Sequence, residues 1–149
     1  MKYQSTKTFG NDRGLSCAFR QPNATHSHCS LIHGYSLGFR FVFEADTLDD
    51  KNWVYDFGNT KWIKAFLEEN FDHTIAVDIK DPKLDDFKQL ETVGIAKIVT
   101  MDGVGCEKFA KLVALYLQDI VHKETDGRAS VSKVQCWEHN DNMAEYHIK

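Results

Sequence analysis

Between Ser36 and Glu44 the chain alternates with a period of two: Leu37, Phe39, Phe41 and Phe43 fall on one side, Gly38, Arg40, Val42 and Glu44 on the other. Only an extended backbone puts every second side chain on one face, so this stretch is a strand that buries a mostly aromatic row. A row of that bulk needs a second layer of structure to cover it.

The rest of the chain supplies the layers. Lys2 to Phe9 and Leu15 to Arg20 read as strands on either side of a turn at Asn11-Asp12-Arg13-Gly14, residue types that tolerate turn geometry. Trp53 to Phe57 is expected to continue the sheet. Gly58 to Asn70 then turns helical, with Trp62, Ile63, Phe66 and Leu67 at helical spacing and Asp56 or Asn59 as cap. A polar link containing Asp81-Pro82 leads to a strand around Ile95 to Met101. A second helix is expected from about Gly105 to His122, striped by Phe109, Leu112, Val113, Tyr116, Leu117 and Ile120. Two final strands, Ala129 to Glu138 and Ala144 to Ile148, are joined through Asn140-Asp141-Asn142. The sum is an α+β domain, an antiparallel sheet with two helices gathered on one face. Such a sheet leaves open edges unless another subunit covers them, so self-association is expected.

At 149 residues the chain fits one domain. Its formal net charge of −4 gives no electrostatic reason to expect nucleic acid or an anionic membrane as partner. No apolar run approaches the roughly 20 residues that span a bilayer, and the first residues lack a secretory apolar stretch, so a cytoplasmic protein is expected. The four cysteines, Cys17, Cys29, Cys106 and Cys136, have no C-x-x-C spacing. They are expected to be free thiols, one of them a candidate reactive group.

Chemistry concentrates in His26-Ser27-His28-Cys29-Ser30-Leu31-Ile32-His33-Gly34-Tyr35-Ser36. Three histidines and a cysteine in eight residues are unusual for packing, and a cysteine near imidazoles can serve as base or nucleophile. The plain alternative is a solvated loop.

Cys29-x-x-x-His33-Gly34-Tyr35-Ser36 resembles the C-x-x-x-H-G-H-S signature of the 6-pyruvoyl-/6-carboxy-tetrahydropterin synthase family. Leu15-Ser16-Cys17-Ala18-Phe19-Arg20 resembles that family's F-x-A-A-H-R, and Trp53-Val54-Tyr55-Asp56-Phe57 its G-x-V-x-D-F. Phe71-Asp72-His73 is similar to its L-D-H, and Val134-x-x-x-Glu138 followed by Tyr146 to its terminal strand pair. Each motif is weak alone, but they stand in family order across roughly residues 7 to 147.

The resemblance implies a sheet with two helices on one side, three subunits closing their sheets into a β-barrel, and two trimers stacked as a homohexamer with a pterin between subunits. It implies a lyase acting on dihydroneopterin triphosphate, giving a 6-pyruvoyl- or 6-carboxy-tetrahydropterin; the second lies on the way to queuosine and other 7-deazapurines. Glu138 would anchor the pterin, its carboxylate accepting the 2-amino group and N3–H together. Cys29 would take a proton from the substrate's side chain, with His73, oriented by Asp72, relaying it or steadying the thiolate. Gly105 and Cys106 stand in the loop that cradles the ring, where the family's P-T-S-E reads Val104-Gly105-Cys106-Glu107.

The zinc ligands depart from the pattern. The family's three histidines correspond to Phe19, His33 and Tyr35, so one imidazole is kept. Catalytic zinc needs about three protein ligands. His26 and His28 are possible substitutes beside His33, since a His-x-His pair puts both rings on one side of an extended chain. Two readings therefore stand together: a family-type lyase with an altered metal site, and a pterin- or purine-binding oligomer without the zinc chemistry.

Overall fold

A computed structural model describes residues 2–148. The aromatic row lies at its centre. It belongs to a thirteen-residue strand, β3 (His33–Ala45), in which Leu37, Phe39, Phe41 and Phe43 are fully buried. Each such side chain contributes about 1.5–3 kcal/mol through burial. β1 (Tyr3–Phe9) and β2 (Leu15–Phe19) run in line along one edge of β3, opposite Phe39–Ala45 and His33–Leu37 respectively. The turn expected at Asn11 to Gly14 is thus a jog that keeps the chain's direction. Asn11 fills it, its amide donating to the carbonyls of Ser36 (2.7 Å) and Trp137 (3.0 Å).

Two covering helices lie near the expected bounds, α1 (Lys61–Phe71) and, numbered in chain order, α3 (Cys106–Glu124). Ile63, Leu67 and Phe71 of α1 and Phe109, Val113, Leu117 and Val121 of α3 share one core with the β3 row. Phe71 meets Phe39 and Phe109 at ring distances of 5.1 Å, tying both helices to the sheet.

The region expected to be a polar link holds two further elements, β4 (Thr74–Asp78) and a third helix, α2 (Leu84–Thr92), leading to β5 (Ile98–Met101). β4 lies parallel to β2 and β5 parallel to β4, so the sheet is mixed rather than antiparallel throughout. β5 is parallel because the chain returns to it from β4 through α2, and β4 is parallel to β2 because both run opposite to β3. Trp53 to Phe57 forms no strand. Its buried Val54 offers its carbonyl to Arg128 Nη2 (2.8 Å), which takes the place of a strand partner.

β6 (Ala129–His139) flanks β3 on its other edge and β7 (Asn142–His147) pairs with β6, giving the order β5-β4-β2-β3-β6-β7 with β1 also on β3. Two bulges interrupt these ladders. One lies between Val42 and Phe43 of β3 where it faces β6, the other between Trp137 and His139 of β6 where it faces β7. The second leaves Glu138 without a partner in the ladder, and it decides where that carboxylate points. No helix among the described residues is long and apolar enough to cross a membrane.

Candidate functional site

The β3 row does not stop at Leu37. Carried back by the same period, it places Tyr35 and His33 on the core side, and cross-strand pairing sets His33 opposite Phe19 and Tyr35 opposite Cys17. Phe19, His33 and Tyr35 form a cluster of mutually contacting rings, with centroids 5.3 Å (Phe19–His33), 5.8 Å (Phe19–Tyr35) and 5.2 Å (His33–Tyr35) apart. Phe109 of α3 backs Phe19 edge-on at 5.2 Å, joining the cluster to the core.

These rings form one wall of a cavity of about 270 Å³, completed by Cys29, Glu138 and the start of α3 at Gly105 and Cys106. Seven of the residues singled out from the sequence therefore meet in one place: Phe19, Cys29, His33, Tyr35, Gly105, Cys106 and Glu138. The bulge explains Glu138. Bulges re-aim side chains and occur beside functional sites. Here the displaced glutamate enters the cavity, its Oε1 accepting from Asn142 Nδ2 at 2.9 Å.

Two residues hold the Cys29 loop. The backbone N–H of Gln21 donates to Cys29 O (2.7 Å), and its side-chain amide donates to Val104 O (2.7 Å) in the turn before α3. Gly105 adopts φ +104°, a conformation that favours glycine, and a Cβ there would lie 2.6 Å from Gln21 Nε2 and push that amide off Val104 O. Arg20 donates to Ser30 O (3.2 Å) while gripping the buried Asp81 with two hydrogen bonds of 2.9 and 2.6 Å. Gln21, Asn142, Met143 and Ala144 line the cavity without having been singled out from the sequence. The last three stand at the start of β7, opposite the bulged end of β6.

The cysteines divide cleanly. Cys29 is exposed at the cavity, whereas Cys17, Cys106 and Cys136 are buried. Burial pushes the Cys17 thiol up, and it pushes the Cys136 thiol up further, with Cys106 beside it adding to the effect. Burial also raises the Tyr35 phenol, and the carboxylate of Glu138 raises it further.

Asp72 and His73 are not among the residues that line this cavity. His73 Nδ1 and Asp72 Oδ1 are 2.9 Å apart, with the histidine side chain 86% exposed. The His73 backbone N–H donates to Ser16 O (2.7 Å), and Phe19 lies three residues further along β2, about 10 Å away at the rise of a strand. His73 also has φ +57°, a left-handed conformation uncommon for any residue but glycine. Such backbone conformations cluster at functional sites.

The zinc implied by the resemblance does not fit these residues. Phe19 has no donor atom. His33, with Nδ1 2.7 Å from Leu31 O, has Nε2 to offer, but it is the one imidazole at the three positions, and Tyr35 brings a phenol whose pKa burial and Glu138 push up. His26 and His28 do not line the cavity, and among the described residues no three His, Cys, Asp or Glu side chains gather where they would share a metal ion.

A thiol, an imidazole, a phenol and a bulge-aimed carboxylate line one small cavity on an α+β sheet, side-chain types that can do acid–base chemistry on a small molecule. Residues 10–149 match the family model described as 6-pyruvoyl tetrahydropterin synthase, and the chain belongs to that family. It is 30% identical to the 6-carboxy-5,6,7,8-tetrahydropterin synthase of Aquifex aeolicus (strain VF5), with 98% of each chain covered. In fold it is similar to a solved structure of an uncharacterized protein from Wolinella succinogenes, at TM-score 0.80 and 19% identity, covering 100% of this chain and 99% of that one. It is also similar to the 6-pyruvoyl tetrahydropterin synthase of Plasmodium falciparum, at TM-score 0.69 and 13% identity, covering 98% and 97%.

Proposed function

We propose that this chain is a tetrahydropterin synthase-like lyase whose cavity takes the ring of dihydroneopterin triphosphate or a closely related pterin. Membership of the family supports the general activity. The convergence of Cys29 and Glu138 on one cavity carries the reading, because it puts a base and a ring anchor within reach of one small molecule. Glu138 would accept the paired N–H donors of the pterin edge, and the turn at Gly105 and Cys106 would lie against the ring. Cys29 would take a proton from the side-chain carbon next to the ring. The Asp72–His73 pair, presented outward, would serve the cavity of a neighbouring copy in a self-associated cytoplasmic protein of the hexamer type. Every step here is carried by the chain's own side chains.

The ring anchor is tested by pterin affinity. Titrating wild-type and Glu138→Ala protein with a fluorescent pterin should show binding that the substitution weakens by about 100-fold, the scale of a lost charge-assisted pair. Equal affinity in the two proteins would remove Glu138 from the site. A second reading, a pterin or purine binder without turnover, is favoured by the lost zinc ligands. It predicts the same Glu138 effect with no product formed.

A further inference from the structure

A carboxylate that anchors a ring through paired hydrogen bonds must keep both oxygens turned to the ligand, and a glutamate has several rotatable bonds through which to lose that geometry. Glu138 lacks two common supports. The bulge leaves it without a partner in the β6–β7 ladder, and no lysine or arginine lines the cavity with it among the described residues. Glu107, which lines the same cavity, adds a second carboxylate. What does reach Glu138 are two neutral donors from two different strands. The Asn142 amide, at the start of β7, donates to Oε1 at 2.9 Å. The Tyr35 hydroxyl, on β3, donates to the same carboxylate, and burial and then the charge of Glu138 push its pKa up. The phenol is fixed from behind, its ring centroid 5.8 Å from that of Phe19 and 5.2 Å from that of His33. A carboxylate has about four acceptor positions. With Asn142 and Tyr35 taking one each, those that remain suit two N–H groups side by side.

We propose that Tyr35 and Asn142 are positioning residues for Glu138: their donors hold its carboxylate ready for two adjacent N–H groups, and so make the cavity select a 2-amino-4-oxo ring edge over the same ring with an oxo group in place of the amine. The amine brings a donor to the carboxylate, whereas the oxo group sets an acceptor against an acceptor. Tyr35 touches no reacting atom in this role and acts through Glu138. The proposal rests on the ring-anchor reading given above and goes beyond it in naming what fixes the anchor and which ring edge the fixed anchor reads.

The test is affinity for pterin and for lumazine, its 2-oxo analogue, titrated by fluorescence on wild-type, Tyr35→Phe, Asn142→Ala, Glu138→Ala and Tyr35→Phe/Glu138→Ala proteins. The wild type should prefer pterin by about 100-fold. Tyr35→Phe and Asn142→Ala should each weaken pterin binding by about 10-fold and leave lumazine binding within a few-fold, so that the preference narrows. Asn142 is exposed, so its variant reports even where loss of the Tyr35 hydroxyl disturbs the fold. In the Glu138→Ala background Tyr35→Phe should have no further effect, because its route to the ligand is gone. Equal weakening of pterin and lumazine binding would mark a general loss of cavity shape and overturn the positioning role. So would unchanged pterin binding in both single variants, or a Tyr35→Phe effect that persists without Glu138. Tighter pterin binding in Tyr35→Phe would show that the phenol competes with the ring, and would overturn it too. Each of these leaves Glu138 as the anchor. A wild type that binds pterin no better than lumazine, or not at all, overturns the ring-anchor reading and the proposal with it.

Discussion

Four thiols surround or underlie the cavity, and their surroundings assign them different work. Cys29 is exposed on its loop, whereas Cys136 is fully buried beneath the sheet and Cys17 nearly so. Thiolates react and buried thiols do not, so brief treatment of native protein with iodoacetamide should give one adduct per chain, on Cys29. Adducts on Cys136 at the same rate would mean that the core opens at the cavity floor, contrary to the packing described. The sequence named Cys29 through its motif and the nearby imidazoles, and here the signal was local. Glu138 is a different case. Its identity was legible from the terminal strand pair, but its direction depends on a bulge that no residue type announces. Gln21 was not legible at all, because its role lies in two hydrogen bonds to segments eight and eighty-three residues away.

Among the elements, the aromatic strand was the clearest because period-two alternation survives any tertiary context. β4 and α2 were missed because each is short and carries little pattern. β4 has five residues, and α2 buries one residue, Phe87. What secures this region is electrostatic. Asp81, at the turn between β4 and α2, accepts from Arg20 twice and from the backbone N–H of Lys83 at 2.8 Å. Hydrogen bonds from Arg20, more than any other cause, hold its carboxyl below the usual carboxylate range. A carboxyl whose folded pKa is depressed stabilises the fold above the unfolded value, near 3.9, and loses that contribution as pH falls through the folded one. Asp81→Asn should therefore cost about 3 kcal/mol in urea unfolding at neutral pH, because it strands the Arg20 charge. The difference from wild type should shrink as pH falls below the usual carboxylate range. A pH-independent difference would show that packing, not the ion pair, sets the cost. Because Arg20 also holds Ser30 O, the same change should loosen the loop that carries Cys29.

For the whole molecule, the separation of Asp72–His73 from Cys29 is the feature the sequence could not reveal. Motif order says which residues belong together, not whether one chain brings them together. β2 puts the pair at its Ser16 end and the cavity at its Phe19 end, so the two halves of the expected acid–base set point to different places on one chain. A self-associated protein resolves this if each cavity borrows the pair from a neighbour. Mixing separately inactive Cys29→Ala and His73→Ala chains under conditions that exchange subunits should then restore a substantial fraction of turnover. Recovery would fail if each cavity used its own pair.

The central claim is that Cys29 works as the base of a pterin lyase, and the most direct measurement is product formation from dihydroneopterin triphosphate by wild-type and Cys29→Ala protein at equal pterin occupancy. The account predicts a tetrahydropterin product from the wild type and a rate lower by at least about 100-fold in the variant, with binding retained. Equal rates, or no product from a wild-type protein saturated with the pterin, would contradict it.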